Sequence, residues 1–207
     1  MRLLFVCTGN VCRSAAAERL LTSWNRRGQH AIEVSSAGTR ARPAQPIHPG
    51  TEEALGRHGV RAGGFRSRRL SERDVDRADL VLTVTALHRE EVVAVNPRGL
   101  RKVFTLKEVA LLCAAIPPGQ LDVVAAEQRG PLFTDVLGEA RSTAGRLLRA
   151  DYDIADPVNG SAKLHVQVVD EISAALTAVL AVLDLPRSAE QIVRMDRLPP
   201  VPAVITP

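Results

Sequence analysis

Aromatic side chains are scarce: one Trp, one Tyr and four Phe make up 3% of the 207 residues. That scarcity argues against the base-stacking platforms of single-stranded nucleic-acid binders. The formal charge is +4 and arginines crowd between Arg57 and Arg73, but these are read as a solvated face and no nucleic-acid partner is expected. Cysteine is equally sparse, with Cys7, Cys12 and Cys113 only. An odd, small count excludes a disulfide scaffold and points to reduced thiols. There is no CxxC pair, and no cysteine stands at zinc spacing with the five histidines, so no metal or other cofactor is expected. No apolar run approaches the roughly 20 residues that cross a bilayer, and no membrane partner is expected. The opening Met1–Val6 has the charge and apolarity of a signal-peptide front, but polar residues begin at Thr8, which fits a strand better. With no targeting segment, the expected compartment is the cytoplasm. There is no internal repeat, and nothing in the composition sets an oligomeric state.

What is present suits one globular domain: 45% of residues are hydrophobic and 24% charged, enough to bury a core. Residues 2–7 are nearly all apolar, as a strand buried on both faces requires. Thr8, Gly9 and Asn10 are turn formers. A helix is predicted from Arg13 or Ser14, since Ala17, Leu20, Leu21 and Trp24 share one face and Gly28 ends it. A short strand at 32–34 completes a strand–loop–helix–strand unit. The same alternation predicts helices over 49–58, 71–75 and 86–95, strands over 80–84 and 101–105, and a long helix over 164–183. Between 107 and 150 the pattern gives two helical stretches, 107–115 and 135–150, around Pro117-Pro118-Gly119. The expected fold class is α/β: a doubly wound parallel sheet with helices on both faces. Residues 1–186 would form the domain and 187–207 a proline-rich tail. Its Pro199-x-x-Pro202 is read as a loosely docked terminus or a polyproline ligand.

The chemistry concentrates in Cys7-Thr8-Gly9-Asn10-Val11-Cys12-Arg13-Ser14, between the first strand and its helix, where open α/β sheets bind ligands. A tight loop ahead of a helix turns backbone N–H groups toward a tetrahedral anion. Gly9 and Asn10 tolerate the positive φ such a loop needs. Arg13 offers a planar fork that matches two phosphoryl oxygens, which lysine does not. Cys7, at the base, is the nucleophile; the same N–H groups, the helix terminus and Arg13 stabilise its anion, and Ser14 can donate to the sulfur. A leaving oxygen still needs a proton. Asp156, stiffened by Pro157, is the chosen general acid, with Asp151 and Asp153 as other carboxylates nearby.

This segment, with Ala17-Glu18 after it, resembles the low-molecular-weight protein tyrosine phosphatases. The resemblance continues in Ser36-Ala37-Gly38-Thr39, Pro46-x-x-Pro49, Arg77-Ala78-Asp79-Leu80-Val81-Leu82-Thr83 and Asp156-Pro157. It implies a doubly wound sheet of four parallel strands and hydrolysis of phosphate monoesters, protein phosphotyrosine first among them, through a phosphocysteine. It implies Cys7 as nucleophile, Arg13 as phosphate-binding arginine, Asp156 as general acid and Ser14 as the thiolate's partner. Thr8, Gly9, Asn10, Val11 and Cys12 complete the substrate loop, Asn10 sets its shape and Ser36 supports Asn10. Cys12 corresponds to a cysteine able to form a protective disulfide with the nucleophile. The expected partner is a phosphorylated protein or a small phosphate ester.

The sequence also departs from that family. Val158 and Asn159 stand where members active on phosphotyrosine usually carry tyrosine. Residues 40–45 lack an aromatic, Ala44 replaces a usual glycine, and Thr85 stands where many members have Asp. Residues 109–150 read as a helical insertion. Two other functions fit the loop. An arsenate reductase would need a thiol relay, for which Cys113 is the only further cysteine, on what reads as a core helix face. A non-catalytic oxyanion-binding module would need neither the thiol nor the acid. His88 is read as a surface or rim residue and His48 as near the pocket rim; no histidine is assigned a role.

Overall fold

The computed structural model describes residues 1–28, 32–116, 121, 128–144 and 152–183. Strand β1 (Arg2–Cys7) is buried from Leu3 onward. It pairs in parallel with β2 (Glu33–Gly38) on one side and β3 (Leu80–Thr83) on the other, and β4 (Val103–Thr105) extends the sheet beyond β3. The order β2-β1-β3-β4 is the expected doubly wound parallel sheet. Helix α1 (Arg13–Gly28) connects β1 to β2. Helices α2 (Pro49–Arg57) and α3 (Glu72–Arg77) lie between β2 and β3, and α4 (Ala86–Val95) between β3 and β4. After β4 come α5 (Leu106–Cys113), α6 (Arg129–Ala144) and α7 (Ala162–Val182).

Strand alternation sorts the core onto the two faces. Leu3, Phe5, Leu80, Leu82 and Phe104 meet the apolar sides of α1, α5 and α7. Leu4, Val6, Val81 and Val103 meet Val75 of α3 and Val92 of α4. Each such side chain contributes about 1.5–3 kcal/mol by leaving water. Capping fixes the helix starts. In α3, Ser71 and Asp74 form a capping box, and Thr105 and Glu108 do the same for α5.

Four expectations need correction. The second strand is longer than 32–34 and runs to Gly38. Its Ser35 and Ser36 hid it, yet both hydroxyls are satisfied, by the Leu3 carbonyl at 3.3 Å and Glu18 at 2.6 Å. Arg101 and Lys102 belong to a 3-10 turn, Pro97–Lys102, so β4 begins only at Val103. Helix α6 starts at Arg129 rather than 135. Finally, α7, at 21 residues, is long and apolar enough to cross a membrane, so an apolar stretch of that length does exist. Half of its most apolar stretch is buried inside the protein, where Val168, Val169, Ile172, Leu176 and Val179 join the core. Pro117–Gly119, Asp151, residues 145–150 and the tail 187–207 lie outside the described residues.

Helix α6 guards the open edge of β4. Arg141 donates to the Val103 carbonyl at 3.2 Å and clasps Glu108 of α5 at 2.7 and 2.8 Å. Its guanidinium lies 3.6 Å from the Phe104 ring centroid. An edge strand covered this way cannot template another chain.

Candidate active site

The loop from Cys7 to Arg13 leaves the carboxyl end of β1 and turns directly into α1. Its shape depends on Asn10, which is fully buried and takes φ 54°, the left-handed region asparagine tolerates. The Asn10 carboxamide oxygen accepts from the Arg68 amide at 2.9 Å, so its nitrogen is the donor to Ser14 Oγ at 2.9 Å and Ser36 Oγ at 2.7 Å. With its oxygen already accepting, the Ser14 hydroxyl has one proton to place, and Cys7 Sγ at 3.0 Å lies nearer than its other acceptor, the Ala37 carbonyl at 3.4 Å. The Asn10 amide donates to the same sulfur at 3.3 Å. Ser36 in turn donates to Glu18 at 2.6 Å, and burial pushes the Glu18 carboxyl above its ordinary range. A buried chain of side chains thus runs from Glu18 to the Cys7 sulfur.

The rest of the loop is tied from outside. The carbonyls of Cys7, Thr8 and Val11 accept from the amides of Thr39, Arg40 and His48 at 2.9, 3.0 and 2.9 Å. Gly38 is what lets β2 approach, since a Cβ there would lie 2.5 Å from the Thr8 carbonyl oxygen. Gly9 differs from expectation: positive φ falls on Asn10 alone in this loop, and a Cβ at Gly9 would meet only Val11 at an ordinary 3.5 Å.

Arg13 is 4% exposed. One terminal nitrogen donates to the Ile154 carbonyl at 3.0 Å and the other faces Asp156 at 2.7 Å. Far apart in sequence, Arg13 and Asp156 therefore meet at one site. Asp156 also accepts from the Val158 amide at 3.2 Å, while Pro157 is buried behind it. Its charge reaches Cys12, His88 and His165, which puts it at the mouth of the loop. Asp153 is engaged elsewhere, accepting from the Ala86 amide at the start of α4 at 2.7 Å. Leu87 and Val158 are exposed apolar side chains on the two segments that Asp153 joins.

Sequence reasoning missed two groups. His88 is buried, not a surface or rim residue. Its ring bridges Thr8 Oγ1, at 2.7 Å from Nε2, and Thr85 Oγ1, at 2.5 Å from Nδ1. Burial, helped by the Arg13 charge, lowers its pKa. No spacing announces this bridge, because only the pairing of β1 with β3 brings Thr8 and Thr85 together. The second group is Cys12, His48 and His165, which converge behind the loop. Burial pushes the Cys12 thiol up to about 11. Cys113 is buried in α5 as expected, and burial pushes its thiol up to about 12, which leaves it a poor relay thiol.

Comparisons with known proteins converge on one family. The sequence profile described as low molecular weight phosphotyrosine protein phosphatase matches residues 2–111. A protein-arginine-phosphatase from Bacillus subtilis (strain 168) is 41% identical over 108 residues, 52% of this chain and 71% of that protein. A probable low molecular weight protein-tyrosine-phosphatase, EpsP, from Ralstonia solanacearum is 35% identical over 107 residues, with the same shares. Among solved structures, a mutant of the YwlE arginine phosphatase with a phosphorylated active-site serine is 28% identical and superposes with a TM-score of 0.64. That match covers 96% of this chain and all of the other.

Proposed function

The chain belongs to the low molecular weight phosphotyrosine protein phosphatase family, and from that premise we propose how its site works and which phosphorylated proteins it takes. It is a phosphatase, and phosphorylated proteins are its substrate class. Cys7 attacks phosphorus in line with the leaving oxygen. The P–O bond breaks, a P–S bond forms, and protonated Asp156 gives its proton to the departing phenolate. Asp156, now a carboxylate, takes a proton from water, whose oxygen attacks phosphorus. Phosphate leaves and the Cys7 thiolate is restored. Arg13 and the N–H groups of Thr8, Gly9, Val11, Cys12 and Ser14 hold the equatorial oxygens. The single observation that carries this reading is the buried Arg13 set between the Cys7 loop and Asp156, 2.7 Å from that carboxylate.

Protein phosphotyrosine is the substrate we assign first. Phosphoarginine is the second reading, favoured by one observation: an exposed Val158, rather than an aromatic residue, follows Asp156 and Pro157. The cytoplasm, where thiols such as Cys7 stay reduced, is the compartment that suits the mechanism. We assign residues 109–150 as an insertion, of which α6 covers the sheet edge through Arg141; the family profile ends at residue 111, where α6 has yet to begin.

The test compares hydrolysis of phosphotyrosine and phosphoarginine peptides by wild type and Cys7→Ser, in reductant and without metal. The reading expects turnover by wild type only, and faster on phosphotyrosine. Preference for phosphoarginine would move the second reading ahead. Turnover that survives Cys7→Ser would remove both.

A further inference from the structure

We propose that Cys12, His48 and His165 form a binding site for one thiophilic divalent cation of the zinc class. One donor atom from each of the three residues lies within 4.8 Å of the other two. One thiolate and two imidazoles are a ligand set zinc accepts, with a fourth position left to water. The residues come from three elements: the phosphate loop, the residue before α2, and the first turns of α7. Sequence spacing therefore conceals them, and none has a place in the phosphatase mechanism beyond the backbone of the loop.

A second observation points to a ligand. His165 is 1% exposed, yet its Nε2 has no hydrogen-bond partner among the described residues. A buried ring nitrogen left unpaired costs free energy, and a bound cation removes that cost. The ring is already held as a metal ligand should be. Thr51 Oγ1 sits 2.9 Å from Nδ1; in the tautomer with its proton on Nδ1, that N–H donates to the hydroxyl and Nε2 keeps its lone pair for a metal. Gly50 makes room for the ring, because a Cβ there would lie 2.6 Å from it. The Thr51 hydroxyl also faces the Cys12 thiol.

His48 is the adjustable ligand. It is half-buried, and its ring stacks on His165 with centroids 4.6 Å apart and planes 11° from parallel. Stacked rings aim their lone pairs side by side, so His48 must turn to share one ion with His165. Its Nδ1 accepts only a 3.2 Å bond from the Gly50 amide. Ligand atoms around tetrahedral zinc stand about 3.3–3.8 Å apart, so the donors draw together by about 1 Å. Binding forms the metal–sulfur bond and releases the Cys12 proton to solvent, and the metal's oxidation state does not change. The ion would then lie directly behind the loop that holds Cys7, with Cys12 withdrawn from any thiol chemistry.

Uptake of metal does not depend on turnover, so the test uses Cys7→Ser, which removes the other thiol of the loop. The full chain is titrated with Co²⁺ without thiol reductant. The proposal expects one equivalent to bind, with a thiolate-to-cobalt charge-transfer band and the intense visible bands of four-coordinate cobalt. Adding Cys12→Ser should abolish the charge-transfer band. Adding His165→Gln or His48→Gln should each weaken binding about tenfold or more, and either histidine variant decides the matter if the other does not fold. No thiolate band, a band that survives Cys12→Ser, or unchanged affinity in a folded histidine variant would overturn the proposal.

Discussion

At the scale of single residues, Asp156 and Ala44 make the sharpest claims. If Asp156 is the proton donor, Asp156→Asn keeps the size of the side chain and removes the proton. Turnover of an alkyl phosphate should fall about 10²–10⁴-fold, with a smaller loss for a leaving group that needs no proton. An equal loss on both would assign Asp156 to the positioning of Arg13 alone. Ala44 stands in the sequence where glycine is usual, and the structure gives it φ 64°. An L-residue there costs about 1–2 kcal/mol, partly offset by the greater freedom glycine has when unfolded. Ala44→Gly should therefore raise stability by about 0.5–1 kcal/mol in urea titration; a loss would show that the turn is not strained. His88 gives a pH dependence. Its folded pKa lies below the unfolded value of about 6.5, so the folded state binds fewer protons and its stabilising contribution is lost as pH falls from about 6.5 through the folded value. His88→Gln should shrink the fall in urea midpoint between about pH 7.5 and 5, and an unchanged fall would assign the loss to other groups.

At the scale of elements, most of the sheet and its helices are legible in the sequence, because burial writes a period into it. Residues 2–7 and 80–83 are almost wholly apolar, and α1 and α4 carry start and stop signals where the chain starts and stops. The failures share a cause. Ser35, Ser36 and Gly38 of β2 are chosen for the loop they support, so they lack the marks of a strand. The start of α6 is hidden because its first residues answer to a tertiary partner. Gly130 packs against Asp79, and Thr134 donates to the Asp79 carbonyl at 3.0 Å. The docking of α6 rests on Arg141 and Glu108, whose side chains are 22% and 6% exposed. Arg141→Ala would leave Glu108 buried without its cation. The expected cost is about 2–3 kcal/mol, discounted from a fully buried pair because Arg141 is partly wet. A change below about 0.5 kcal/mol in chemical denaturation would show that α6 is held by its apolar face alone.

At the scale of the molecule, the doubly wound sheet explains why the site is visible in the sequence and why its surroundings are not. The nucleophile and the arginine lie on one loop at the carboxyl end of β1, so both fall within eight consecutive residues. Asp156 depends on the fold: the Ile154 amide donates to the Val84 carbonyl at 2.8 Å, just past β3, and the Ala86 amide donates to Asp153 at 2.7 Å, which together carry the acid across to Arg13. His88, Ser36 and His165 are brought to the loop by strand pairing and helix docking, and His48 by its amide bond to the Val11 carbonyl. The central claim is a phosphoryl group carried on Cys7. Rapid-quench mass spectrometry of the enzyme turning over an aryl phosphate, with Asp156→Asn to slow its release, tests this most directly. The account predicts a phosphoryl group on the Cys7 sulfur that forms before free phosphate appears. Steady turnover with Cys7 unmodified, or with the phosphoryl group on another residue, would contradict it.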